Sequence, residues 1–229
     1  MLVGLISDVH SNIVALNSVL REFDELQVKT ILHAGDIIGY GPYPIETINM
    51  FKEHGIYSIL GNHDRALING NIQNFNPLAA QALSWTASVI SITERQYLQG
   101  LDNITIYSVG ARVGVVHGSP RDVDERILLE YLTASKTMPE FMLSINCDVV
   151  VLGHTHKQFK VEYQEGIVVN PGSVGQPRDG NPCAAFALLD TKTRKVMLHR
   201  ANYDIEKVID DILKSGLPVE LAYRLRIGR

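Results

Sequence analysis

Apolar and polar positions follow two different periods along this chain. Leu2 to Ser7 is a short apolar run, after which Ile13, Leu16, Leu20 and Phe23 recur at helical spacing. Thr30 to His33 reads as a second strand. Pro44 stands where a first-turn proline would, ahead of Ile45, Ile48 and Phe51, and Ile56 to Leu60 reads as a third strand. Such a β-α-β-α-β run predicts a mainly parallel sheet covered by helices.

Pro77 to Gly100 predicts two helices broken near Ser91 to Thr93. Ile104 to Val109 and Arg112 to Val116, parted by Gly110 and Ala111, predict a hairpin. Arg121 to Thr137 reads as helix and Asp148 to Leu152 as a buried strand. Antiparallel strands are expected near Phe159 to Tyr163, Ile167 to Asn170, Cys183 to Leu189 and Lys195 to Arg200. Ile205 to Leu213 closes as a helix punctuated by Gly216 and Pro218. The chain shows no linker, charge block or repeat, so the expectation is one domain over residues 1–229 with a helical insert at about 65–102.

Composition narrows the class. The 229 residues are 45% apolar and 20% charged, which supports a large core and excludes a disordered chain. A formal charge of -4 argues against non-specific nucleic-acid binding. Cys147 and Cys183 make neither a disulfide framework nor a thiolate metal site, so a reducing compartment is expected. With eight histidines present, any metal here takes nitrogen and oxygen ligands. Leu2 to Ile6 follows no basic leader, and the other apolar runs are too short for a bilayer. A cytoplasmic protein without membrane association is therefore expected.

The chemistry gathers at strand ends. Asp8 and His10 follow the first strand, Asp36 the second, and Gly61-Asn62-His63-Asp64 the third. His117 follows the Arg112 strand, and Gly153-His154-Thr155-His156 follows the Asp148 strand. Singly, each has an ordinary reading: Asp8 or Asp36 as a cap or turn residue, Asn62 as a turn, His117 as a buried, satisfied histidine. Their joint occurrence changes the picture, because ligands of open α/β sheets collect outside the carboxyl ends of the strands.

In this order, Asp-x-His, Gly-Asp-x-x-Gly, Gly-Asn-His-Asp, His-Gly and Gly-His-x-His resemble the calcineurin-like metallophosphoesterase superfamily. Gly39-Tyr40-Gly41-Pro42, His117-Gly118-Ser119-Pro120-Arg121-Asp122 and Asn170-Pro171-Gly172-Ser173 through Arg178 are similar to its small single-domain branch of bacterial and archaeal phosphodiesterases and diadenosine-tetraphosphatase-related proteins. The resemblance implies a four-layer α/β/β/α sandwich of two mixed sheets, with the metal site at the C-terminal ends of strands. It implies one metal on Asp8, His10 and His156, a second on Asn62, His117 and His154, and Asp36 bridging both. His63 would sit above the metals near the phosphate, with Asp64 orienting it.

Two close divalent cations repel, so a shared carboxylate and a bridging hydroxide suit them, and Asp36 can supply the first. The donor set fits manganese, iron, zinc, cobalt or nickel, with manganese expected to support activity. The resemblance thus implies hydrolysis of a phosphodiester or nucleotide by metal-bound hydroxide, with a small phosphoester as substrate. Arg178, Arg121 and Asn62 are the candidate substrate contacts, a guanidinium being suited to gripping phosphate bidentately.

Two rivals keep the fold without the chemistry: a non-catalytic scaffold and a nucleotide-binding regulatory protein. A protein serine/threonine phosphatase is disfavoured by Gly39-Tyr40-Gly41 and by Asp64, where those enzymes carry Asp-Arg-Gly and glutamate. The stretch with Asn69, Asn71, Gln73, Asn74 and Asn76 is the expected pocket wall, and Leu83, Trp85 and Val89 read as core. Leu217, Val219, Leu221, Tyr223, Leu225 and Ile227 have two open destinations, the chain's own core or a second copy in a homodimer.

Overall fold

In the computed structural model, which describes residues 1–134 and 137–229, strand β1 (Leu2–Ile6) is the centre of the first sheet. It pairs in parallel with β2 (Thr30–His33), which pairs in parallel with the short β3 (Tyr57–Ser58). Helix α1 (Ile13–Glu25) and helix α2 (Pro44–Glu53) make the crossovers. Helices α3 (Asn62–Asn69), α4 (Pro77–Val89) and α5 (Ile92–Gln99) follow β3 and occupy the expected insert. A second sheet then begins with the hairpin of β4 (Ile104–Ser108) and β5 (Arg112–Val116).

Helices α6 (Leu129–Ala134) and α7 (Thr137–Ile145) lead to β6 (Val149–Val151), β7 (Gln158–Glu162) and β8 (Ile167–Pro171). The chain returns to the first sheet with β9 (Ala184–Asp190) and β10 (Lys195–Ala201). Helix α8 (Ile205–Lys214), helix α9 (Val219–Tyr223) and a 3-10 turn over Arg224–Ile227 end it. The sheet orders are β10-β9-β1-β2-β3 and β4-β5-β6-β8-β7, both of mixed direction.

Strand periodicity explains the layering. Val3 and Leu5 of β1, with Val149 and Val151 of β6, pack between the two sheets. Ile6 points outward to Leu16, Val19 and Phe23 of α1, while Val150 and Leu152 face Met138 and Met142 of α7. Strands buried on both faces read as continuous apolar runs, which is how they look in the sequence. The expected four-layer α/β/β/α arrangement is thereby present. Among the described residues no helix is long and apolar enough to cross a membrane.

Asn62 opens α3, with Gly61 as its N-cap and the Asp64 carboxylate accepting from the Gly61 amide at 3.0 Å. Other expectations need correction. The helix expected over Arg121 to Thr137 is confined, among the described residues, to α6 and the first residue of α7, and residues 135 and 136 lie outside them. Ser119 Oγ accepts from the amides of Arg121 and Asp122, and Asp122 Oδ1 from that of Asp124; such local bonds compete with helix. Strand β8 is antiparallel to β7 but parallel to β6, a direction that a run buried on both faces does not encode.

Candidate metal centre

The loops after β1, β2, β5 and β6 and the first turn of α3 meet at one end of the two sheets. There the backbone leaves its usual conformations. Asp8, His10, Asp36, His154 and His156 all hold positive φ, between 49° and 66°, a region that residues other than glycine visit rarely. Local strain of this kind persists only where the surroundings over-determine it. Gly61 passes so close to Asp36 that an added Cβ would stand 2.1 Å from Asp36 Oδ1.

Two groups of donors result. In the first, His156 Nε2 lies 3.1 Å from His10 Nε2 and 3.3 Å from Asp8 Oδ1, and His10 Nε2 lies 3.5 Å from Asp36 Oδ2. In the second, Asn62 Oδ1 lies 3.0 Å from His117 Nε2 and 3.1 Å from His154 Nδ1, with His117 Nε2 3.3 Å from the same Asp36 Oδ2. Donors held about 2.1 Å from one ion sit about 3.0 to 3.4 Å apart; the second group falls in that range, and the first spans 3.1 to 3.8 Å, the widest being His10 Nε2 to Asp8 Oδ1, a set that could close on an ion. All seven residues expected as ligands are brought together, and Asp36 stands between the groups.

The hydrogen bonds behind the donors show that these residues fit cations. His10 Nδ1 faces the carbonyl of Ile38 at 3.0 Å, and His156 Nδ1 faces that of Gln176 at 2.6 Å. Each Nδ1 must therefore carry the ring proton. Burial keeps both rings neutral, their pKa values held well below the usual histidine range. Two bare Nε2 lone pairs then point at each other across 3.1 Å, a repulsive contact that a cation between them turns into ligation.

Burial pushes the Asp8 carboxyl up to about 7. Burial would lower His117, yet the adjoining Asp36 carboxylate outweighs it and raises the imidazole to about 9. The metal-free site thus holds protons where cations would stand.

His63 lies above this floor. Its ring packs against His10 at 4.7 Å, Tyr40 at 4.6 Å and Phe75 at 4.9 Å, and its buried Nδ1 has no partner. Burial lowers its pKa to about 4, so it is a neutral imidazole. Its backbone amide donates to Asp36 Oδ1 at 2.8 Å, which leaves Oδ2 directed at the two donor groups.

The expected orienting contact from Asp64 to His63 is not formed. Adjacent residues of a helix point about 100° apart, and the Asp64 carboxylate instead accepts four backbone amides, from Asp36, Ile37, Ile38 and Gly61. Asp64 shapes the β2 loop that presents Asp36.

An open cleft of about 750 Å³ covers the centre. Asn69, Asn71, Asn74 and Asn76 line one wall, as the insert was expected to do, and Gln73 does not. Asn76 also caps α4 through the amide of Ala79. Arg178 lines the cleft, its Nη2 donating to Gln176 Oε1 at 2.8 Å and Tyr40 Oη at 3.2 Å.

Arg121 lies outside the cleft, largely exposed and 3.6 Å from Glu125, because the Ser119 turn directs it away. Arg65, Phe75 and Arg126 line the cleft although nothing in their spacing marks them in the sequence. Leu83 is core, Trp85 packs at its margin and Val89 is exposed.

Known proteins place the chain. It is 33% identical over 246 residues to an uncharacterized protein of Methanocaldococcus jannaschii, covering 100% of this chain and 98% of that one. A metallophosphoesterase structure from Sphaerobacter thermophilus superposes with a TM-score of 0.85 at 34% identity, covering 100% and 99% of the two chains. The phosphodiesterase YfcE of Escherichia coli is 25% identical over 201 residues, or 83% of this chain and 88% of its own. The calcineurin-like phosphoesterase superfamily domain matches residues 1–194, and the chain belongs to that superfamily.

Proposed function

We propose that the protein hydrolyses a phosphate ester, a phosphodiester or nucleotide in preference to a phosphoprotein, with two divalent cations as cofactors. The observation that carries this reading is the pair of bare histidine nitrogens 3.1 Å apart, joined to a second donor group through one oxygen of Asp36. Asp8, His10 and His156 would hold one cation, Asn62, His117 and His154 the other, and Asp36 both. When bound, such cations act as Lewis acids on phosphoryl oxygens and lower the pKa of water toward neutrality. Manganese is the first ion to test, since a nitrogen and oxygen set accepts it readily.

The chain's own residues supply the rest. His63, neutral and wedged between His10, Tyr40 and Phe75, offers an N–H to a phosphoryl or leaving-group oxygen without prior charge. Arg178 lines the cleft, and its guanidinium, whose buried Nε has no hydrogen-bond partner, is a donor suited to a phosphoryl oxygen. The likeness to YfcE, a phosphodiesterase, supports the diester.

The test is a panel of chromogenic monoesters, chromogenic diesters, nucleotides and a phosphopeptide, run on chelator-treated protein with each metal restored in turn. Metal-dependent turnover with diesters or nucleotides above the phosphopeptide is the expected result. Equal turnover in excess chelator would sink the reading.

A further inference from the structure

Tyr40 is buried, yet its ring touches four functional groups. His10 and His63 lie at 4.7 and 4.6 Å between centroids, and the guanidinium carbons of Arg178 and Arg224 lie at 5.5 and 5.9 Å. Tyr40 itself has a φ of 55°, and the backbone on either side runs close to the site: a Cβ on Gly39 would meet His63 Nδ1 at 2.5 Å, and one on Gly41 the His10 carbonyl at 2.4 Å.

Arg224 arrives from the far end of the chain. It opens the C-terminal 3-10 turn, whose Leu225 is buried, with Leu221 and Tyr40, in one apolar cluster. Its Nε donates to the Arg229 main-chain oxygen. Among the described residues no Asp or Glu side chain lies within ion-pair distance of Arg178 or Arg224. Burial and the nearby Arg178 charge both lower the pKa of Arg224. Two guanidiniums are thus gathered over one ring without a side-chain carboxylate at ion-pair distance.

We propose that Tyr40 is a positioning residue for Arg178, and that Arg224 of the C-terminal turn holds Tyr40 in place, so that the Arg178 guanidinium meets a phosphoryl oxygen of the substrate. The Tyr40 hydroxyl accepts from Arg178 Nη2 at 3.2 Å, and Gln176 Oε1 takes the same nitrogen at 2.8 Å. Without the hydroxyl the long side chain keeps one anchor and regains rotamer freedom. This rests on the phosphoesterase reading above.

The test compares wild type with Tyr40→Phe, Arg224→Gln, Arg224→Lys and the control Arg226→Gln, whose residue pairs with Glu206 at the surface. Each protein is loaded with manganese, assayed on a chromogenic diester and titrated calorimetrically with inorganic phosphate. Tyr40→Phe and Arg224→Gln should raise KM and weaken phosphate binding about fivefold, with kcat within about twofold of wild type. Arg224→Lys, which keeps the charge, should lie between Arg224→Gln and wild type, and Arg226→Gln should match wild type.

Wild-type KM and phosphate affinity in both Tyr40→Phe and Arg224→Gln overturns the proposal. A fall in kcat at constant KM overturns it too, since Tyr40 would then belong to the chemical step. A lysine variant as weak as the glutamine one overturns the part given to Arg224. Wild type that binds phosphate but turns over no ester refutes the hydrolytic reading alone, and the phosphate titrations then decide this one.

Discussion

The Nε2 atoms of His10 and His156 face each other at 3.1 Å, although 146 positions of sequence separate the two residues. Each ring is turned to that contact by a carbonyl behind it, of Ile38 for His10 and of Gln176 for His156. The fold has therefore spent backbone acceptors to aim two lone pairs at one point. A cation there relieves the repulsion, so removing it should loosen the protein. Chelation is expected to lower Tm, and restoring the ion at about 100 times its Kd should return about 2.7 kcal/mol, read by thermal unfolding. A Tm indifferent to chelator would contradict the centre.

Asp36 and His63 should separate metal holding from chemistry. Asp36→Asn removes the charge shared by both donor groups and should lower the bound metal, counted by elemental analysis. His63→Ala should keep both metals and lose kcat by about a hundredfold or more. Full activity of both variants in metal-supplemented buffer would refute the assignment.

Metal binding should release protons. The raised values of His117, about 9, and Asp8, about 7, mean that the metal-free site carries protons at neutral pH which a cation must displace. Affinity should therefore rise with pH through that window and fall below it. Calorimetry in two buffers of different ionisation heat measures the released protons; identical heats would contradict the expectation.

Asp64→Ala should act on folding rather than on His63. It leaves the amides of Asp36, Ile37, Ile38 and Gly61 without their acceptor in a buried loop. The expected loss is about 3 kcal/mol or more of unfolding free energy, from denaturant titration. A variant of wild-type stability with a changed His63 titration would restore the orienting role instead.

Gly61→Ala tests the close approach beneath Asp36. The new Cβ would fall 2.1 Å from Asp36 Oδ1 and 2.2 Å from its amide nitrogen, so the β2 loop must shift. Metal occupancy should fall with it, whereas Gly70→Ala, where a Cβ meets nothing within 4 Å, should retain the metals. Its φ of 68° makes some loss of stability the expected companion.

By itself the sequence determined the alternation of strands and helices and the seven candidate ligand residues at strand ends. Apolar periodicity and short motifs are local, and both survive translation into structure with small changes of boundary. Tertiary structure alone decided what depends on direction and distance. That strand β8 runs parallel to β6 and antiparallel to β7 is set by how the chain connects the strands, not by its run of buried residues. Asp64 turns to four amides of another loop, and Arg121 leaves the cleft through a serine-capped turn, because side-chain aim is set by packing partners far away in sequence. Arg126 and Arg224 acquire their places only when distant loops and the C-terminal turn close around Asp36 and Tyr40. The letters named the donors; the facing lone pairs and the clamped ring arise from chain segments meeting in space.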